Sequence, residues 1–184
     1  MIVTLRQTAA PTARAVSWTP LLAVGCVLGV LAMVFSAWDT TSPTVLGLGA
    51  GAMAATLVLA WRDPAASLLA ALPVSLFTRR LVRLVLTATV AVPLWLLVTL
   101  VLPGDGSALG PFLALSCAGL GVATWLPADR DVTVAAVVPL LWATLAELFG
   151  EVSGIVGAAA GLPVTHAAPV AFGGLVLLLL GRHR

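Results

Sequence analysis

Side chains able to do chemistry are scarce in this chain, and they are scattered. His166 and His183 are too few and too poorly placed for a metal cluster, and Ser116–Cys117 has no nearby base to activate a nucleophile. Cys26 and Cys117 each sit inside an apolar run, which reads as two reduced, buried small residues rather than a disulfide or a metal pair. All nine basic residues are arginine. Without lysine there is no phosphate-binding lysine of a Walker A loop, so the chain is not itself a P-loop ATPase, and any ATP must be used by a partner. The expectation is a protein with no catalytic residue, no cofactor and no metal of its own.

Three residues remain that could act within a membrane. Glu147, one turn before Glu151, is the carboxylate closest to membrane depth. Buried, it would suggest a proton or cation site; at the interface it is a solvated helix-end charge, and the interfacial reading is preferred. Trp95 and Trp142 lie well inside apolar segments and could line a path for an apolar substrate, although packing is the plainer role.

The elements that must position these residues are membrane helices. The chain of 184 residues is 61% hydrophobic and only 9% charged, with a mean hydropathy of +1.15, far outside the soluble globular range. The net charge of +2 is too small and dispersed for nucleic-acid binding, and membrane lipid is the surrounding partner. The apolar runs predict an all-α integral membrane protein with six spans: Thr19 to Trp38, Thr44 to Trp61, about Leu81 to Leu102, about Ala108 to Trp125, Val132 to Phe149 and about Ala168 to Leu180. The first is longer than a signal-peptide core and is expected to be retained. Pro93 and Pro139 fall inside spans and should kink them. Residues 1–16 form an N-terminal segment, broken at Pro11. Residues 150–167 are too glycine-rich and short to cross as an ordinary helix, yet too apolar for a solvated loop, so a re-entrant or interfacial segment is expected.

Charge fixes the orientation of these spans. Six spans put Arg6, Arg14, Arg62, Arg79, Arg80, Arg83, Arg130, Arg182 and Arg184 all on one side, while Asp39, Asp105, Glu147 and Glu151 lie on the other. By the positive-inside rule both termini are cytoplasmic in a multi-pass protein of the plasma membrane, and the all-arginine usage fits a GC-rich bacterial coding sequence. Trp18, Trp38, Trp61 and Trp125 fall near span ends, as interfacial aromatics do. Gly25 and Gly29, and again Gly47 and Gly51, have the spacing that lets helix backbones approach, and packing within one bundle is the favoured reading of both pairs.

The connection from Trp61 to Leu84 is the one long polar element, with four of the nine arginines. Asp63–Pro64 starts a helix, because the carboxylate can accept from first-turn N–H groups and proline at the first position loses no needed donor. Leu68, Leu72 and Leu76, with Leu69 beside them, make an apolar stripe, and Pro73 ends the helix by disfavouring the α conformation of Leu72. Ser75 is placed to cap the next helix, which begins with Leu76 and Phe77 and passes Arg79, Arg80 and Arg83 before becoming wholly apolar.

At residues 68–86, LLAALPVSLFTRRLVRLVL, the sequence resembles the membrane subunits of ABC exporters of the ABC-two permease type. Leu72–Pro73–Val74–Ser75 and Arg79–Arg80 occupy the places of that family's turn and of the basic start of its third span. The layout is similar too: an amphipathic N-terminal segment, six spans, cytoplasmic termini and a re-entrant hairpin between the fifth and sixth spans. The resemblance implies that 63–72 is a coupling helix, with Asp63, Pro64, Leu68, Leu69, Leu72, Pro73, Ser75, Arg79 and Arg80 engaging a separate P-loop ATPase subunit. It further implies a second six-helix permease subunit, identical or related, and outward movement of an apolar or amphipathic compound. Two other classes stay open: a proton-coupled secondary transporter using Glu147, and a non-transporting membrane scaffold.

Overall fold

The computed structural model describes residues 17–38, 43–62, 76–102, 109–126, 131–150 and 154–181. Among these there are seven α-helices and no strand: α1 Thr19–Ala37, α2 Pro43–Ala60, α3 Leu76–Val101, α4 Leu109–Trp125, α5 Asp131–Phe149, α6 Ile155–Thr165 and α7 Ala167–Gly181. Helix boundaries fall within a residue or two of the apolar runs, apart from α3, whose basic first turns extend it five residues ahead of its apolar stretch. An all-helical answer is the one hydrocarbon permits for an open chain, because each helix satisfies its own backbone polar groups.

Four helices, α1, α2, α3 and α5, are long and apolar enough to cross a membrane. A fifth candidate is the pair α6 and α7, which meet at 85° around His166. Helix α4, at 17 residues, is about 25 Å long, a few Å short of a hydrocarbon core of about 30 Å. The long apolar helices make this a multi-pass membrane protein. Outward faces are correspondingly greasy: Ile155, Leu100 and Met33 are among the most exposed large side chains.

Helix α2 is the hub, touching α1, α3, α4 and α5. It is apolar all round, and every residue from Gly49 to Val58 except Ala52 is buried, as expected of a helix enclosed by others. Contacts along the hub fix helix directions. Trp61 meets Phe77 at one end and Gly49 faces Trp95 further along, so α2 and α3 are antiparallel. Gly47 faces Glu147 and Gly51 faces Ala143, so α2 and α5 are antiparallel as well. Helices α4 and α7 run parallel in steady register, with Gly110 against Ala167, Gly174 against Cys117, and Gly181 against Thr124.

Two buried clusters stack along the bundle. One gathers Leu28, Met53, Trp95, Val98, Phe112 and Ala143 toward the end that carries Glu147. The other gathers Val58, Trp61, Leu120, Val132 and Leu178 at the end where α3 begins with its arginines. Pro93 and Pro139 lie inside α3 and α5 without interrupting either helix. The second is buried, its ring against Gly119, where absence of a side chain makes the room.

Candidate functional site

The site most favoured by sequence lies where α2 ends and α3 begins. Residues Asp63, Pro64, Leu68, Leu69, Leu72, Pro73 and Ser75 fall outside the described residues, but both flanks of that connection are described. Trp61, only 1% exposed, packs edge-on to Phe77 with ring centroids 5.7 Å apart, and the Arg80 guanidinium lies 6.0 Å from the Trp61 ring centroid. That is the outer limit of a cation–π contact. One turn further on, buried Arg83 donates from Nη1 to the backbone carbonyl of Arg62 at 2.8 Å. The bond spans 21 residues and ties the end of α2 to the start of α3. Arg79 and Arg80 are half-buried beside it.

Trp61 departs from the interfacial, half-wet role its position near a span end suggests. It is core, because α3 starts far enough before its apolar stretch to lay Phe77 and Arg80 over the indole. Trp38 and Trp125 keep exposed positions at helix ends, Trp125 donating from Nε1 to the Leu177 carbonyl at 3.1 Å.

The other residues singled out by sequence gather toward the opposite end. Trp95 is fully buried, its ring 5.7 Å from that of Phe112 and beneath Gly49. Trp142 is half-buried against the same cluster and donates from Nε1 to the Ala159 carbonyl at 3.3 Å, linking α5 to α6. Glu147 is exposed on the last turn of α5. A methyl group added at Gly47 would overlap its Oε1, so the carboxyl rests directly on the α2 backbone. Trp95 and Trp142 therefore belong to one packed cluster, and Glu147 sits beyond it at the bundle's end.

Among the described residues the buried hydroxyls are satisfied locally. Thr56 donates to Met53 O, Thr87 to Arg83 O and Ser116 to Phe112 O, each within its own helix. Among the described residues no three His, Cys, Asp or Glu side chains gather to hold a metal. Cys117 is half-buried, but Cys26 is exposed on the outward face of α1, against the expectation of burial. An apolar run cannot tell a core face from a lipid face, since both accept a small apolar side chain.

The glycine pairs divide. Gly51 faces Ala143 and the Pro139 carbonyl, and Gly25 faces Leu94, so both are packing positions inside the bundle, while Gly29 has open space beside it. Sequence reading missed the tightest seam, α4 on α7. There Gly174 abuts the Cys117 backbone, and a Cβ on Gly121 would lie 2.9 Å from the Gly174 carbonyl. The signal was present as small residues at 117, 121 and 124 facing glycines at 174 and 181, the two glycines two turns apart.

The functional reading rests on these residues and their packing, because comparison of the chain with protein-family models, with curated proteins and with solved structures finds no match.

Proposed function

We propose that this chain is the permease subunit of an ABC exporter, coupling a separate P-loop ATPase to outward movement of an apolar or amphipathic compound. The observation that carries the reading is the clamp at the base of the 63–75 connection. Arg83 bonded to the Arg62 carbonyl, with Trp61 packed on Phe77, makes the end of α2 and the start of α3 one stiff body. A push delivered to the connection by a closing ATPase would then move two packed helices together rather than being absorbed at a soft joint. A simple surface turn between spans needs no such clamp.

Three further features support it. In the six-span arrangement α4 and α7 cross in the same sense with α5 returning between them, and the parallel register of α4 and α7 fits that. The 85° bend from α6 to α7 suits a re-entrant or interfacial segment before the last span. The buried core offers apolar side chains and internally satisfied hydroxyls, a medium for greasy substrates rather than ions. The arginine distribution supports cytoplasmic termini by the positive-inside rule, the all-arginine usage fits a bacterial plasma membrane, and a second permease subunit would complete the path. The proton-coupled alternative needs a desolvated carboxylate, and Glu147 is exposed at a helix end.

The test is affinity purification in mild detergent from cells expressing the tagged chain with its neighbouring genes, followed by an ATPase assay. A co-purifying P-loop ATPase that is lost on changing Leu68 and Leu72 to Asp supports the reading. A folded protein with no ATPase partner overturns it, and Glu147→Gln then becomes the variant to assay for transport.

A further inference from the structure

Helix α6 rests on the bundle through little side-chain surface. Its buried face is Gly157, Ala160 and Pro163, of which the first two carry no more than a methyl group, while Ile155, Val156 and Val164 are exposed. A Cβ added at Gly161 would meet nothing within 4 Å. Both ends of the helix are changes of direction. Gly154, its N-cap, has φ +110° and ψ −169°, a conformation open in practice to glycine alone, and a Cβ there would also meet nothing within 4 Å. At the other end the chain turns 85° around His166 into α7. Helix α6 is thus a strap between two bends.

The strap has an internal defect. Pro163 lies inside α6 and has no N–H, so the Ala159 carbonyl lacks the donor an α-helix would bring to it, and the proline ring crowds that carbonyl. Proline is tolerated in membrane helices where a neighbouring group makes good the lost bond. The Trp142 indole does so: its Nε1–H donates to the Ala159 carbonyl at 3.3 Å across 17 residues. Of the eleven residues of α6, the indole meets the one carbonyl whose partner inside that helix is a proline. Trp142 is itself well seated on α5, half-buried with its side chain against the cluster that contains Trp95 and Phe112. At 3.3 Å the bond is longer than the usual N–H···O range, so it can be given up at modest cost.

We propose that Trp142 is a latch. Its indole N–H takes the place of the bond Pro163 cannot make, holds the α6 strap on α5, and sets the equilibrium between α6 docked and α6 swung out about Gly154 and His166. Trp142 acts through the Ala159 carbonyl and is a positioning residue. The strap lies toward the Glu147 end of the bundle, away from the α2–α3 junction, and the latch does not depend on an ATPase partner.

The experiment is hydrogen exchange of the full chain in mild detergent, read by mass spectrometry over residues 155–166, with α2 and α3 as internal references. Trp142→Phe keeps a ring and removes the donor, and exchange in α6 should rise about fivefold, the worth of one hydrogen bond. Pro163→Ala returns an N–H to the helix. In that background the Ala159 carbonyl has a helical donor of its own, so adding Trp142→Phe should raise α6 exchange only about twofold or less. Each comparison is made within one background, so packing lost at Pro163 cancels. A rise as large in the Pro163→Ala background as in the unmodified chain would mean that the ring matters only as packing, and overturns the latch. No rise from Trp142→Phe alone overturns it too. So does a rise that spreads equally through α2 and α3, since the loss is then of the whole fold. Should Pro163→Ala fail to fold, benzothienylalanine at position 142 puts the same question, because it keeps the bicyclic shape with sulfur in place of N–H. The fivefold rise should then persist, and unchanged exchange overturns the proposal.

Discussion

The two ends of the bundle are built on opposite principles. At the arginine end a large aromatic, Trp61, is sealed beneath Phe77 and Arg80, and a long-range bond from Arg83 to the Arg62 carbonyl closes the junction. At the other end Glu147, an exposed carboxylate on the last turn of α5, rests on bare backbone at Gly47. The first arrangement resists deformation because bulky buried groups fill it. The second can adjust, because what touches Gly47 is the far end of a flexible side chain. Under the proposed function, the end that receives the push would be the stiff one and the far end the compliant one.

Substitutions at the two ends should separate in size. Trp61→Ala, which empties the sealed end, should destabilise by about 3–5 kcal/mol, read as a fall in thermal midpoint in detergent. A loss no larger than that from exposed Trp38→Ala would break the contrast. Next come two α2 glycines one turn apart. Gly51→Ala puts a Cβ 2.7 Å from the Ala143 Cβ and 3.0 Å from the Pro139 carbonyl, neither of which can swing away, and should cost about 1–3 kcal/mol. Gly47→Ala meets only the Glu147 carboxyl and should cost much less in the same assay, so equal losses would show that α2 and α5 are as rigid at the glutamate end as in mid-bundle.

A smaller loss is expected from Arg83→Gln, about 1–2 kcal/mol, since the bond to the Arg62 carbonyl goes but part of the stem packing stays. Hydrogen exchange at the start of α3 should rise in that variant and leave α4 and α7 unchanged. Exchange spreading through α7 would mean that the clamp is not a local device. The smallest effect is assigned to Glu147→Gln, within about 0.5 kcal/mol, as for a surface change away from buried networks. A drop of several kcal/mol would reveal that the carboxylate is held in the folded protein and would reopen the proton-coupled reading.

Sequence alone determined the described helices and which end carries the α3 arginines and which Glu147, for a physical reason that needs no tertiary information. An apolar run of span length has one satisfactory backbone arrangement in hydrocarbon, and arginine has one comfortable place, at its edge. It also brought out the break before α7, since residues 150–167 carry too many glycines for an ordinary span. What it left undecided was which face of each run turns inward. Lipid and protein core are equally apolar, so Cys26 facing outward and Trp61 facing inward are indistinguishable from hydropathy. The α4–α7 seam and the Arg83 bond to Arg62 are likewise agreements between segments distant in the chain, 57 residues for Cys117 and Gly174. Only folding could decide them, because close packing is a property of two surfaces brought together and not of either sequence by itself.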